Sequence, residues 1–347
     1  MTAAIMAATF AGGFAGALAG TWACRSIALR FGVVNQPNPI VAQHVQPIPY
    51  LGGVGLAFGV ACAVVIGLAI GDRPRLLNVA QWRWDTIAGA AMFLLIGVAD
   101  DVVVLSPLGK FLMQVTAAVA VITLAVVGNA ATTSTWLTAS LYLGGILVLV
   151  NAVNLVDVCD GLVAGLASIV SLTFVALHGQ WDVLPAALAS AAVGFLVWNK
   201  PPASIFLGDA GSHFIGFLLA GFSIDMLVQR PVLPGTMAVL LTNGVFLFEL
   251  VFLVAVRRRK GIPWWLGSPD HFALRLQAAG FGRWGVDAAS WSMAGVLGAL
   301  ALFAVEGALA AIVCGVVALL GALWVWRYLL PIEVRAGSRS ESKAHCG

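Results

Sequence analysis

Charged residues are scarce in this chain: Asp, Glu, Lys and Arg make up 10% of its 347 residues, whereas 61% are hydrophobic. A soluble domain carries about 25% charged residues and roughly 45–50% apolar ones. Too few polar groups are present to cover a surface in water, which excludes a soluble globular protein, and the apolar content excludes a disordered chain. The net charge of +3 gives no indication of a nucleic-acid partner. The composition therefore predicts a polytopic membrane protein.

Paired cysteines and a basic amino-terminal leader are also missing. The five cysteines are scattered without a CxxC pair, which favours packing residues over a metal site or a disulfide framework. The first 24 residues contain no Lys or Arg, whereas a cleavable signal peptide begins with a basic region. The first positive charge, Arg25, follows the apolar stretch. We therefore expect the opening segment to remain as a helix with its amino end outside.

Long apolar segments recur along the whole chain. A transmembrane helix needs about 20 mostly apolar residues, and about 17 can suffice. Eleven candidate spans are 3–24, 51–71, 86–99, 111–128, 136–153, 162–178, 183–198, 212–228, 233–255, 288–305 and 308–328. With the amino end outside, 14 of the 18 Lys and Arg residues fall in inside loops or the carboxyl-terminal tail. Because basic residues concentrate in cytoplasmic loops, this count favours eleven spans and a cytoplasmic carboxyl end.

These spans predict an all-α polytopic membrane protein with 10–11 transmembrane helices. Residues 1–335 are expected to form a single integral membrane domain, since no second domain or long linker is visible. Residues 336–347 are polar and are expected to form a disordered cytoplasmic tail.

Six aspartates fall in the predicted inside loops or at their edges. They are Asp100, Asp101, Asp157, Asp160, Asp209 and Asp270. A carboxylate at mid-bilayer costs about 2.5–3.5 kcal/mol, so acids at membrane depth usually face a cavity and have a function. Adjacent carboxylates such as Asp100 and Asp101 repel each other unless a cation lies between them. The clustering predicts an active site at the cytoplasmic face.

The sequence around these acids suggests which chemistry they perform. Asn151, Asn154 and Asp157 recur every three positions and can share one flank of a helix. Gly208 and Gly211 flank Asp209 and permit a tight backbone there. Clustered oxygen ligands without a Cys–His pairing suit Mg²⁺, with Mn²⁺ as an alternative. Several acids, a lysine and Mg²⁺ at a membrane face predict phosphoryl transfer between a soluble nucleotide and a lipid phosphate.

The ordered motifs DD, NxxNxxDxxDG and GDxGS, at residues 100–101, 151–161 and 208–212, resemble a known family. They are similar to those of the polyprenyl-phosphate N-acetylhexosamine-1-phosphate transferases, and an amino-terminal segment containing His44 and Pro47–Gly53 fits as well. The resemblance implies Mg²⁺-dependent transfer of a sugar 1-phosphate from a UDP-sugar to undecaprenyl phosphate, with release of UMP. Such a step initiates lipid-linked synthesis of O-antigen, other lipopolysaccharide or cell-wall glycans at the bacterial cytoplasmic membrane.

The resemblance also implies roles for individual residues. The predicted catalytic residues are Asp100, Asp101, Lys110 and Asp209, of which Asp100 and Asp209 would hold the metal. The predicted substrate-binding residues are His44, Asn151, Asn154, Asp157, Asp160, Phe206, His271 and Arg275. Asp100 and Asp101 would position or deprotonate the lipid phosphate. Lys110, His271 and Arg275 would neutralise phosphate charge, and Phe206 would stack on uracil.

Several alternatives stay open at this point. The last inside loop has His271 where the family often has several histidines, which leaves the donor sugar undecided. A phospho-N-acetylmuramoyl-pentapeptide transferase is therefore the alternative within the family. A secondary transporter is the alternative of another class, with Asp225 and Glu249 as its candidate membrane acids. Direct attack, a covalent Asp intermediate and a homodimer also remain open.

Overall fold

The computed structural model describes residues 3–35, 47–70, 84–128, 136–178 and 183–334. Within these ranges the α-helices are α1 (Ala3–Phe31), α2 (Gly52–Ile70), α3 (Trp84–Val103), α4 (Pro107–Gly128), α5 (Trp136–Val156), α6 (Leu162–Leu177), α7 (Val183–Asn199), α8 (Gly208–Gln229), α9 (Val232–Thr242), α10 (Gly244–Arg259), α11 (Phe272–Ala278), α12 (Arg283–Ala304) and α13 (Ala308–Leu329). Two short antiparallel strands, β1 (Val34–Asn35) and β2 (Ile48–Pro49), pair beside α1. The all-α class is confirmed. The predicted tail, 336–347, lies outside the described residues.

Eight of these helices are long and apolar enough to cross a membrane, namely α1 to α5, α8, α12 and α13. Helices α9 and α10 meet the same criterion only together, as a pair bent by 73°. Helices α6 and α7 are apolar but have only 16 and 17 residues. The structure thus confirms a polytopic membrane protein with eight or nine candidate spans in the described ranges. The count of eleven stays a prediction.

The predicted single span 233–255 is wrong in shape, because the helix breaks at Asn243. The side-chain amide of Asn243 donates hydrogen bonds to the carbonyl oxygen of Val239 and to Oγ of Ser223, each at 3.0 Å. A polar side chain that bonds into the helical ladder is a recognised cause of a sharp kink. Helix α10 therefore leaves α9 in a new direction.

Helix α8 lies at the centre of the bundle. In its most apolar stretch 72% of the residues are buried, against 11% for α13 at the periphery. It packs mainly against α3, α5 and α2. Helix α7, with its run of Ala, Ser and Gly, packs against α1, α2 and α6, and such small residues let membrane helices approach closely. The first residues of α8 are enclosed by several helices.

The loops predicted to share one face do meet at one end of the bundle. The N–H of Gly161 donates to Oδ1 of Asn199 at 3.0 Å and joins the turn after α5 to the end of α7. Nε of Arg25 donates to the carbonyl oxygen of Ser204 at 3.1 Å and joins α1 to the loop before α8. These contacts bring the motif-bearing loops together.

Candidate active site

A lysine held between two carboxylates forms the centre of the site. Nζ of Lys110 lies 2.8 Å from Oδ2 of Asp100 and 2.8 Å from Oδ2 of Asp209. The side-chain amide of Asn154 donates to Oδ1 of Asp209 and, at 3.0 Å, to Oγ of Ser212. Residues from α3, α4 and α5 therefore converge on Asp209 at the start of α8, as the motifs predicted.

Asp101 differs from the prediction in what its carboxylate contacts. Its Oδ1 accepts the backbone N–H of Asp209 at 2.8 Å, and its Oδ2 accepts that of Ala210 at 3.1 Å. The first N–H groups of a helix have no partner within it, and a helix amino terminus favours negative charge. Gly208 adopts φ +73°, and a Cβ there would lie 2.6 Å from Oδ2 of Asp101. Asp101 thus holds the backbone of Asp209 in place.

Two glycines on neighbouring helices allow this arrangement. A Cβ at Gly97 of α3 would collide with the backbone of Asp209 and Ala210. A Cβ at Gly53 of α2 would collide with the backbone of Gly211. The backbones of α2 and α3 therefore contact the first turn of α8 directly, and any other residue at either position would displace Asp209.

A cavity of about 830 Å³ opens beside Asp209. This volume is typical of a site for a drug-sized ligand. The predicted site residues that line it are Asp101, Asn154, Asp157, Asp160, Phe206, Asp209 and His271. Burial and the charges of Asp209, Asp101 and Asp160 raise the pKa of Asp157 well above its usual value. The acidic side of the cavity is thus suited to cations and hydrogen-bond donors.

Several lining residues were not identified from the sequence, among them Tyr50, Asn199, Arg257, Trp265, Gln277 and Arg283. Arg257 donates to Oγ of Ser268 at 3.1 Å and to the carbonyl oxygen of Trp264 at 2.7 Å. Nη1 of Arg283 lies 3.2 Å from Oδ2 of Asp160. Both arginines occur in the predicted loop that is richest in basic residues. A general charge bias of loops accounts for arginines there, so no feature of the sequence assigned these two to the site.

His271 lines the cavity, and its side chain contacts a residue of another helix, α10. Its Nδ1 lies 2.7 Å from Oε1 of Glu249, and Oε2 of Glu249 accepts the N–H of Phe272 at 3.1 Å. Both side chains of the pair are buried. Glu249, a candidate transport acid in the sequence, is therefore engaged with a residue that lines this cavity.

Arg275 does not lie where a phosphate-binding residue was expected. It is 2% exposed and is absent from the cavity lining. Its guanidinium pairs with Asp270 at 2.7 Å and donates to the carbonyl oxygens of Leu329 and Leu330, each at 3.0 Å. The prediction that Arg275 neutralises phosphate charge is wrong in this structure, because the guanidinium is engaged with Asp270 and with carbonyl oxygens at the end of α13.

Two other predicted substrate-binding residues are not found at the cavity. Asn151 lies away from it, and His44 lies outside the described residues. Asn151 donates to Oε1 of Gln114 at 2.9 Å, and Nε2 of Gln114 lies 2.8 Å from Nε2 of His213. This polar network lies one turn of α5 deeper than Asn154, and Asn151 is not part of the cavity lining.

The carboxylate oxygens near Asp209 can be compared with the ligands that Mg²⁺ requires. In the described part of the chain, no group of three or more His, Cys, Asp or Glu side chains could hold a metal ion. Mg²⁺ is usually bound by one or two carboxylates together with waters and substrate phosphates. Asp100 and Asp209 form such a pair, and the ammonium of Lys110 already lies between them. Two carboxylates of this kind would suit a magnesium ion that arrives with a phosphate substrate, and Mg²⁺ at this position stays a prediction.

Comparison with known proteins agrees with this arrangement. The sequence profile described as glycosyl transferase family 4 matches residues 84–227, the region from α3 to α8 that supplies the central residues. The chain is 34% identical over 227 residues to a decaprenyl-phosphate N-acetylglucosaminephosphotransferase of Mycolicibacterium smegmatis, covering 57% of this chain and 54% of the relative. The match therefore spans about half the length of that relative.

Two further relatives extend the match along the chain. A Bacillus subtilis protein named as an undecaprenyl-phosphate N-acetylglucosaminyl 1-phosphate transferase is 29% identical over 273 residues, covering 74% of this chain and 73% of the relative. A Streptomyces coelicolor protein named as a glycosyltransferase is 30% identical over 312 residues, covering 87% of this chain and 68% of the relative. The chain therefore belongs to glycosyl transferase family 4, the family of polyprenyl-phosphate N-acetylhexosamine-1-phosphate transferases that its motifs resemble.

Proposed function

We propose that this protein transfers N-acetylglucosamine 1-phosphate, or a related sugar 1-phosphate, from a UDP-sugar to a polyprenyl phosphate such as undecaprenyl phosphate. The observation that carries the proposal is Lys110 held between Asp100 and Asp209 at the edge of a cavity of ligand size. The names of the mycobacterial and Bacillus relatives support N-acetylglucosamine as the sugar and a polyprenyl phosphate as the acceptor.

In the proposed reaction a phosphate oxygen of the lipid attacks the β-phosphorus of the donor. The bond from the β-phosphorus to the bridging oxygen breaks, its electron pair leaves with UMP, and the sugar remains on a lipid-linked diphosphate. Mg²⁺ bound by Asp100 and Asp209 would supply charge neutralisation for the diphosphate. Lys110 lies beside both carboxylates and would contact phosphate oxygens there. Direct attack and a covalent Asp intermediate would both use this arrangement.

The cavity would hold the nucleotide sugar. Phe206 lines it with its ring centre 6.3 Å from that of Tyr50, and this aromatic wall suits the uracil. Asn154, Asp157 and Asp160 would hydrogen-bond to nucleotide or sugar hydroxyls. Because Arg275 is engaged elsewhere, the groups in contact with the diphosphate would come from the cavity lining, His271 among them.

The lipid phosphate would approach from a different side. Asp100 and Lys110 do not line the cavity, and they flank the turn between α3 and α4. That turn has apolar side chains with large exposed fractions, at Val103 (69%), Val104 (83%) and Leu108 (67%). Such a surface can contact a polyprenyl chain while the phosphate reaches Lys110, so that the two substrates would meet at Asp209.

The test of this function is release of UMP by the purified protein. The protein would be combined with undecaprenyl phosphate, Mg²⁺ and a panel of UDP-sugars. UDP-N-acetylglucosamine is expected to give the fastest lipid-dependent release. Faster release with UDP-N-acetylmuramoyl-pentapeptide would favour the alternative donor, and no release with any donor would refute the proposal. Solute accumulation in proteoliposomes without lipid phosphate would favour a transporter.

The proposed location is the bacterial cytoplasmic membrane, with the amino end outside and the site facing the cytoplasm, where UDP-sugars occur. In a background without native cysteines, Gly267→Cys at the cavity is expected to resist an impermeant thiol reagent added to intact cells. Glu306→Cys, in the exposed turn between α12 and α13, should be labelled. Labelling in the reverse pattern would mean that the site faces outward, away from cytoplasmic donors.

A second prediction concerns the packing at Asp209. Gly97→Ala places a methyl group against the backbone of Asp209 and Ala210, and a misplacement of about 1 Å can cost roughly 100-fold in rate. We expect a loss of that order in UMP release. The control is Gly295→Ala in α12, since no atom lies within 4 Å of its added Cβ. Equal rates for the two variants would contradict the close packing.

A further inference from the structure

Glu249 is a fully buried carboxylate, and both of its oxygens contact one short segment, His271–Phe272, at the start of α11. It lies on α10 with an exposed fraction of 0%. Oε1 contacts Nδ1 of His271 at 2.7 Å, and Oε2 accepts the N–H of Phe272, the first residue of α11, at 3.1 Å. A buried carboxylate is costly unless such hydrogen bonds satisfy it. The two contacts therefore fix the position of the His271 ring relative to α10.

This contact bears on which nitrogen of His271 carries a proton. Opposite an ionised carboxylate, which can only accept hydrogen bonds, Nδ1 is the protonated nitrogen. His271 lines the cavity, and Nε2 is the ring nitrogen that remains for a ligand there. A carboxylate that fixes the tautomer of a histidine in this way also supports the imidazolium when the ring takes up a second proton.

The other cations near the site have partners of their own. Lys110 is held by Asp100 and Asp209, and Arg275 is held away from the cavity. Glu249 itself does not line the cavity, whereas His271 does. Of the two paired side chains, His271 is therefore the one that can contact a bound ligand directly.

We propose that Glu249 is a positioning residue that keeps Nδ1 of His271 protonated and directs Nε2 toward the diphosphate of the bound donor. The inference rests on the proposed function, because it assigns the diphosphate as the group that His271 contacts. When the ring takes up a second proton at Nε2, the imidazolium next to Glu249 would donate a charge-assisted hydrogen bond to a phosphate oxygen as negative charge develops on the departing UMP. A neutral ring protonated only at Nε2 would not carry that charge.

The decisive variant is Glu249→Gln. A glutamine has one acceptor oxygen and one amide donor, so it cannot accept hydrogen bonds from both Nδ1–H of His271 and N–H of Phe272. If the oxygen stays on Phe272, the amide donor faces Nδ1 and the ring must carry its proton on Nε2. Exchange of Asp for Asn in a comparable buried carboxylate–histidine pair gives the wrong tautomer and lowers kcat about 10⁴-fold.

The measurement is ¹⁵N NMR of protein labelled at histidine, together with the kinetics of UMP release. The chain has five histidines, and the His271 signals would be identified by their loss in His271→Asn. We expect the Nδ1–H form in the wild type and the Nε2–H form in Glu249→Gln. We also expect kcat to fall at least about 100-fold, with KM for undecaprenyl phosphate unchanged. Glu249→Asp keeps two acceptor oxygens and should retain the Nδ1–H form and recover part of kcat.

The matched control is Glu306→Gln, the same exchange at an exposed residue, which should change neither the NMR signals nor the rate. An unchanged His271 tautomer in Glu249→Gln would overturn the inference, and so would an inverted tautomer with wild-type kcat. Thermal unfolding of each variant separates misfolding from these outcomes, and Glu249→Asp provides the second test if Glu249→Gln does not fold. Absence of UMP release by the wild type would refute the proposed function instead, and the NMR result would still decide the tautomer.

Discussion

Replacement of Asp209 by Asn is expected to abolish turnover while the protein remains folded. Oδ2 of Asp209 contacts the ammonium of Lys110 at 2.8 Å, and Oδ1 accepts a hydrogen bond from Asn154. An asparagine is nearly the same size, but it lacks the charge and would place an amide donor against one of these two donors. Loss of one such electrostatic contact typically costs about 100- to 1,000-fold in kcat, or roughly 2.7–4 kcal/mol, and we expect the upper end of that range.

The rate of UMP release and the midpoint of thermal unfolding together measure this effect. Asp225→Asn is the matched control, because it makes the same exchange in the other half of α8, far along the helix from the cavity. It should retain most of the activity. Near wild-type turnover by Asp209→Asn, with an unchanged dependence on Mg²⁺, would show that the central carboxylate has been assigned the wrong role.

Replacement of Arg275 by Ala is expected to lower stability by about 3 kcal/mol, the lower end of the range for breaking a buried ion pair, because Lys260 remains 2.7 Å from Asp270. The change removes the other cation at Asp270 and the donor for the carbonyl oxygens of Leu329 and Leu330. The contacts with these two carbonyl oxygens join α11 to the end of α13, so the carboxyl-terminal part of the bundle should loosen. Denaturant unfolding of the purified protein provides the measurement.

Arg283→Ala serves as the comparison, since its guanidinium is at the cavity and its side chain is 35% exposed. It is expected to raise KM for the UDP-sugar with little change in unfolding free energy, because exposed ion pairs contribute at most about 1 kcal/mol. The opposite pattern, with Arg275→Ala raising KM at normal stability, would restore the phosphate-binding role that the sequence predicted for Arg275.

The fold class and the central residues of the site could be predicted because they depend on local features of the sequence. Apolar runs of sufficient length mark helices that lie in lipid, and the structure has helices in each predicted span. The motifs at the ends of those helices predicted that Asp100, Asp209 and Asn154 lie on one face. The family resemblance adds Lys110, which lies directly before the predicted span 111–128. In the structure these side chains meet at Asp209, and their roles stay predictions.

The individual roles could not be read from the same motifs, because they depend on contacts between distant parts of the chain. Asp101 binds the backbone of Asp209, 108 residues further on. Arg275 donates to carbonyl oxygens 54 and 55 residues away. Sequence spacing describes which residues share a helix face, but it does not state which other helix lies against that face.

The break at Asn243 illustrates the same limit within one predicted span. By hydropathy residues 233–255 form a single apolar segment, and only the contact of Asn243 with Ser223 on α8 identifies the position where the helix turns. The sequence alone thus determined a membrane-embedded helical bundle with its acids gathered at one face, because hydropathy and helical periodicity are local properties. Only the tertiary structure decided which acid faces the cavity, which one caps a helix and which one contacts His271, because these depend on hydrogen bonds between packed helices.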